Sequence, residues 1–339
     1  MNPEPEASSI DRRSDSPPLS HSQVVLRIGL AAAYLIGMAR LGAAGTAQIV
    51  LVAVALLVSL TGPGARRWWM TALPFAILAA VYDALGLAKS FVVAHGVHVA
   101  GPYWFDKALF GIEWHGAKLS LNELWARHHW PAVDFVTGVA YLTYVYAVMA
   151  FALYLAWRDR SAAGRRRTRA LGWTFLAVNL AGFITYLVFP VAPPWYVALH
   201  GFGPVDANTP ASPAALVRWD QLVGIPYFAQ FYAKSSDVFG AMPSLHCAYP
   251  MLLFWHAREL RRPALTAAAA AFQLLMCFSA IYLQHHYFCD AVAGMTVATA
   301  GYFLERALSG RPLRQPSPGD EMVTEATAAP LTVPGEIGS

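Results

Sequence analysis

Three polar side chains stand at the margins of apolar runs: His246, His286 and Asp290. His286 and Asp290 are four residues apart, a spacing that places both on one face of a helix. A carboxylate beside an imidazole fixes its tautomer and favours its protonated form. One ring nitrogen is then left pointing outward as a nucleophile or base. His285 lies five residues from Asp290, a poorer match, so His286 is read as the working histidine. His246 sits just inside the run "FGAMPSLHCAYPMLLFW", where lipid is a poor solvent for a polar ring. Ionisable groups within membrane segments are costly and are functional candidates by default. A packed structural histidine and a metal ligand are the rival readings. The three residues lack a compact ligand motif such as H-E-x-x-H, so no metal is expected.

The elements that position them are membrane helices. The chain has 339 residues, is 57% hydrophobic and only 13% charged, with a mean hydropathy of +0.42. Soluble domains carry about 25% charged residues, and apolar runs of about 18 or more read as membrane spans. Eight apolar segments stand out, near 23–42, 47–62, 69–94, 131–157, 170–189, 243–258, 263–282 and 287–307, the second and sixth of them short. The expected fold is an all-α, polytopic membrane helix bundle of about eight spans. Residues 1–22 and 311–339 are rich in Pro, Ser, Glu or Thr and are expected to be disordered tails. Residues 23–68 would supply two accessory spans, and 69–310 the catalytic membrane domain.

Arginines set the expected orientation. Arg66 and Arg67, the six arginines of Trp157–Arg169, Arg258 with Arg261 and Arg262, and Arg306 with Arg311 and Arg314 fall on one side of eight spans. The positive-inside rule makes that side cytoplasmic, with both termini. A short basic loop between spans reads as an anchor, not as a nucleic-acid surface. Cys247, Cys277 and Cys289 show no zinc-type spacing and read as packing residues. The opposite face carries two long loops, His95–Trp130 and Pro190–Ala241. The first is Trp-rich and suits interfacial helices. "FPVAPPWY", "FGAMPSLH" and "YLQHHYFCDAVAG" all lie at that outer face.

"GAMPSLH" and "HHYFCD" resemble the second and third motifs of the type-2 phosphatidic-acid phosphatase superfamily, Pro-Ser-x-His and His-x-x-x-Asp. The inositol phosphorylceramide synthase-like branch is more similar still. It has "FGA-x-PSLH", "HHYF-x-D" and a preceding "APPWY", here Phe239–His246, His285–Asp290 and Ala192–Tyr196. The resemblance covers roughly residues 69–307 and implies a six-helix phosphatase-like core. The superfamily's first motif, Lys then six residues then Arg-Pro, is not found. The arginine that normally opens the third motif is replaced by Ala280, after Ser279. Fewer cations suit a phosphodiester better than a phosphomonoester, which favours the transferase branch.

The resemblance implies that His286 attacks phosphorus to give a phosphohistidine, that Asp290 orients it, and that His246 is the proton donor and acceptor. Neither a metal nor an organic cofactor is implied. Some cation should still stabilise the transferring group. Arg218, Lys234 and Lys89 are the candidates, and Ser244 could donate a hydrogen bond to phosphate as well as start a helix. The bland reading of each cation is a solvated or headgroup-facing charge. Asp83 receives no role. The expected partners are a phospholipid donor and a lipid alcohol acceptor, in the membrane and without nucleic acid. A lipid phosphate phosphatase using the same residues stays open, as does a non-catalytic transporter or scaffold. Oligomeric state is not legible.

Overall fold

The computed structural model describes residues 19–40, 45–60, 72–81, 89–94, 96–206, 208–235 and 238–310. Both expected tails, apart from residues 19–22, lie outside the described residues. So do Asp83, Arg66, Arg67, Arg311 and Arg314. The protein is an all-α membrane bundle. Its helices are α1 (His21–Arg40), α2 (Thr46–Leu60), α3 (Ala72–Val81), α4 (Lys89–Ala94), α5 (Ala100–Phe110), α6 (Leu121–Arg127), α7 (Pro131–Arg158) and α8 (Ala162–Val188). They continue as α9 (Pro194–His200), α10 (Val217–Val223), α11 (Tyr227–Ala233), α12 (Leu245–Glu259), α13 (Pro263–Tyr282) and α14 (Phe288–Leu308). A short antiparallel hairpin, β1 (Ile112–Trp114) and β2 (Ala117–Leu119), joins α5 to α6.

Four of the described helices, α1, α7, α8 and α13, are long and apolar enough to cross a membrane. Each of the eight expected segments contains a described helix. Two boundaries differ in an informative way. The six-arginine segment is largely not a loop. Ser161 caps α8 by accepting from the Gly164 amide, so the helix begins at Ala162 and carries Arg165, Arg166, Arg167 and Arg169 on its first turns. The third expected span holds α3 and α4, with residues 82–88 between them outside the description.

The core joins α7, α8, α12 and α14 through Val148, Leu171, Phe175, Tyr249, Leu252 and Tyr302. A second cluster joins α7, α10, α11 and α13 to the starts of α12 and α14, around Tyr141, Trp219, Phe228, Met276 and Tyr282. Two glycines permit close approaches. A Cβ on Gly138 would meet the Trp219 ring, which lets α10 settle on α7. A Cβ on Gly294 would meet the Ser244 carbonyl, which brings α14 against the turn that opens α12. That second contact joins the two histidine motifs.

Candidate active site

His246 comes from the start of α12, and His286 and Asp290 from the turn into α14, at one end of the bundle. Ser244 is fully buried and caps α12, its Oγ accepting from the Cys247 amide at 3.3 Å. This sets His246 in the helix's first turn. Ser244 also donates its backbone N–H to the Asp290 carbonyl at 3.0 Å. His286 precedes α14, and Asp290 lies in that helix's first turn, where Oδ2 accepts from the Tyr287 amide at 2.8 Å.

The ring nitrogens have distinct partners. His286 Nδ1 is 2.8 Å from the Ala241 carbonyl, and a carbonyl can only accept, so Nδ1 carries the proton. In the neutral ring Nε2 then bears the lone pair. His246 Nδ1 lies 2.9 Å from that Nε2. Asp290 Oδ2 is 3.8 Å from His286 Nδ1, within ion-pair reach but too long for a hydrogen bond. Asp290 thus touches His286 through charge, while the backbone of Ala241 fixes the tautomer.

Ala241 is itself held by the "FPVAPPWY" segment, Phe189–Tyr196. Val191 accepts from the Ala241 amide at 3.3 Å and donates to the Phe239 carbonyl at 2.8 Å. His98 pairs on the other side of Val191, donating to the Pro190 carbonyl at 2.8 Å and accepting from Ala192 at 3.0 Å. The Trp195 amide donates to the Gln284 carbonyl at 3.1 Å, tying this segment to the third motif. From the other side, Asn122 of α6 donates to the carbonyls of Ile281 and His286 at 2.9 and 3.0 Å. Asp106 of α5 accepts from the Cys289 amide at 2.8 Å at the start of α14. The outer helices thus hold the His285–Asp290 turn.

A cavity of about 110 Å³ opens on these groups. His246, His285 and His286 line it, with Tyr144, Tyr232, Ser235 and Trp195. His246 stacks on Tyr141 at 4.2 Å between centroids and also contacts Tyr144. His285 lies between Tyr141 and Tyr232, and its Nε2 donates to the Pro213 carbonyl at 3.2 Å. Burial, and then the neighbouring His286, push the His285 imidazole down to about 3, so it stays neutral near pH 7.

The candidate cations fall elsewhere. Arg218 donates from Nε to Asp134 Oδ1 at 2.7 Å and stacks over the Tyr282 ring. Tyr282 donates to the same Asp134 oxygen at 3.0 Å, so Arg218 belongs to a clamp between α10, α7 and α13. Lys234 is exposed beside the cavity-lining Ser235, but it does not line the cavity itself. The Lys89 side chain lies outside the described residues. No arginine or lysine lines the cavity among the described residues. Ala280, where the superfamily's arginine would stand, is fully buried, and its carbonyl accepts from the amides of both His285 and His286. Among the described residues no group of three His, Cys, Asp or Glu side chains is placed to hold a metal.

Sequence reasoning did not single out Tyr141, Tyr144, Tyr232 or the Ala241 carbonyl, and it set His285 aside. The i, i+3 pair Tyr141–Tyr144 was the available signal, but tyrosines on membrane helices have many other uses.

A membrane helix bundle with a paired histidine and a carboxylate at one end defines an integral-membrane phosphoryl-transfer enzyme. The PAP2 superfamily profile matches residues 105–304, and the chain belongs to that superfamily. It is 33% identical over 265 residues to a phosphoinositol dihydroceramide synthase from Bacteroides thetaiotaomicron, covering 77% of this chain and 84% of that protein. It is 37% identical over 130 residues to an inositol phosphorylceramide synthase from Candida albicans, covering 37% of this chain and 26% of that protein. Against the catalytic subunit of the Saccharomyces cerevisiae inositol phosphorylceramide synthase it is 39% identical over 123 residues, 36% of this chain and 30% of that one. The chain therefore spans less than a third of the two fungal relatives but most of the bacterial one. No solved structure matches.

Proposed function

We propose that the protein moves phosphoinositol from a glycerophospholipid to a lipid alcohol of the ceramide class, in two displacements through His286. The observation that carries this reading is the pairing of His246 Nδ1 with His286 Nε2 at 2.9 Å, with His286 Nδ1 committed to Ala241. His286 Nε2 attacks phosphorus, and the bond from phosphorus to the diacylglycerol oxygen breaks. His246 gives its proton to that oxygen. The acceptor hydroxyl then attacks the phosphohistidine, His246 takes its proton, and the P–N bond breaks. Splitting one displacement into two lowers each barrier. Asp290 offsets the positive charge on His286 while the P–N bond exists.

The cation-poor cavity supports a diester, which carries one negative charge through the reaction. Ser244 in this reading serves mainly as a helix cap, since its Oγ accepts from Cys247. Lys234, next in sequence to the cavity-lining Ser235, is the candidate cation for an incoming headgroup. Residues 69–310 form the catalytic domain and 23–68 two accessory spans. The arginine-rich turns lie in the cytoplasm, the histidines face the extracytoplasmic side, and the plasma membrane is the proposed location.

The test uses purified full-length protein in mixed micelles with headgroup-labelled phosphatidylinositol, with ceramide, diacylglycerol or neither. Transfer of label to ceramide that disappears in His286→Ala is the expected result. Release of water-soluble label alone would make the protein a phosphatase-type hydrolase. No difference between wild type and His286→Ala on any donor would overturn the catalytic reading.

A further inference from the structure

At the end of the bundle away from the histidines, the α7–α8 and α12–α13 turns enclose a second, larger cavity of about 340 Å³. Arg158, Arg167, Arg261 and Arg262 line it, with two carboxylates, Asp159 and Glu259. Both carboxylates are already engaged. Asp159 accepts from Arg167 at 3.2 Å and from the Ser161 amide at 3.0 Å. Glu259 accepts from Tyr302 at 2.7 Å and from Arg306, which does not line the cavity, at 2.6 Å. The lining therefore holds an excess of two positive charges, and one of its two carboxylates is matched by an arginine outside it. The floor, Leu155, Gly164 and Leu260, is apolar or small.

Two features separate this from a scatter of anchoring charges. All four cations are arginines, whose fork geometry suits phosphate oxygens. They come from two turns and stand 94 to 104 residues apart in sequence, yet they share one concave surface. The rim also marks the cavity's depth. Trp157, 71% exposed, immediately precedes Arg158, and Trp255 sits one turn before Glu259 with Arg258 over its ring. Tryptophans at helix ends mark the headgroup level of a bilayer. We propose that this cavity binds a phosphomonoester, the anion whose charge of nearly two matches the excess, carried on a lipid headgroup in the leaflet opposite the catalytic site. A site at that place would let the lipid composition of one leaflet set the stability or activity of an enzyme working at the other.

The test uses full-length protein in phosphatidylcholine nanodiscs, in the His286→Ala background so that no lipid is turned over. One arm adds phosphatidic acid, and the other adds inorganic phosphate in solution. Bound lipid is counted by native mass spectrometry and bound phosphate by equilibrium dialysis. Arg261 has a positive φ of 52°, a conformation asparagine tolerates well, so Arg261→Asn removes a cation without straining the turn. Arg158→Gln is the second variant, and Arg158→Lys is its charge-preserving control. Each lost arginine should weaken phosphatidic acid retention about fivefold, by the ~1 kcal/mol per cation typical near an anionic surface. Phosphate binding that depends on Arg158 and Arg261 without phosphatidic acid retention would overturn the lipid assignment and give the site to a soluble phosphate. Retention of both probes unchanged in both variants would overturn the site and leave the arginines as topological anchors.

Discussion

At the scale of single residues, the separation of 2.9 Å between His246 and His286 leaves no room for phosphorus between the nitrogens. Productive binding must part the two rings, and the Tyr141 and Tyr144 faces are the surfaces along which His246 can slide. The roles of the two histidines are separable by experiment. His286→Ala is expected to abolish transfer and any acid-labile label on the protein after incubation with headgroup-labelled donor. His246→Ala should slow transfer by about 10²–10⁴, the usual range for general acid–base groups. Covalent label in His286→Ala would rule out that residue as the nucleophile. Asp290→Asn keeps an oxygen to accept the Tyr287 amide but loses the charge beside His286. Its turnover should fall at least tenfold while its melting temperature moves little, and equal loss of both would make Asp290 a helix cap only. The contact between His286 and Asp290 was legible from spacing alone, though for a different geometric reason: His286 precedes the helix instead of lying on it. The hydrogen bond that fixes its tautomer was not legible, because it goes to a backbone carbonyl 45 residues away.

At the scale of elements, the outer loop does more than float at an interface. Its expected helices are present, and Trp104, Trp114 and Trp130 are largely exposed. But α5 and α6 also reach the catalytic turn through Asp106 and Asn122, contacts that only tertiary folding makes. Asn122→Ala leaves the His286 carbonyl without that donor, at about 1–3 kcal/mol for a buried unmet group, while the Ile281 carbonyl keeps the Gln284 amide. It should cut turnover more than tenfold and raise amide exchange across residues 281–290, both absent in a surface control such as Arg127→Gln. The two helices are joined to each other by Lys107, Tyr103 and Glu123. Burial raises the Glu123 carboxyl, but the Lys107 ammonium, the Ser120 amide and the Tyr103 hydroxyl outweigh it and hold it below its ordinary 4.5. A depressed carboxylate stabilises the fold above its unfolded value, and that contribution is lost as pH falls through the folded one. Protection of the α6 amides, measured against their intrinsic exchange rates, should therefore fall as pH drops below 4.5, and Glu123→Gln should flatten that dependence. An unchanged slope in Glu123→Gln would place the acid-sensitive group elsewhere.

At the scale of the whole molecule, the chain sorts into helices that pack and helices that do not. The apolar stretch of α1 is 6% buried and that of α8 is 56% buried. On α1, Val25, Leu26, Leu30 and Ile36 all face outward, as lipid-facing side chains would. The order of the helices was legible because hydrophobic length sets it. Which of them build the core was not, since α1 and α13 are similarly apolar and differ only in their neighbours. The family match begins at residue 105, beyond α1 and α2. If these two are accessory spans, removing both takes away an even number of crossings. The arginine-rich turns of α7–α8 and α12–α13 then keep their side of the membrane. Removing α1 alone changes the parity and sets α2 against the positive-inside preference of everything after it. Deletion of residues 1–68 should leave ceramide-dependent transfer within a few-fold of the full chain. Deletion of residues 1–44, which keeps α2, should cost more through misinsertion, read by protease access to the Arg158–Arg169 segment from the cytoplasmic side. Equal loss in both truncations, with that segment still cytoplasmic, would mean that α1 and α2 support the catalytic bundle directly.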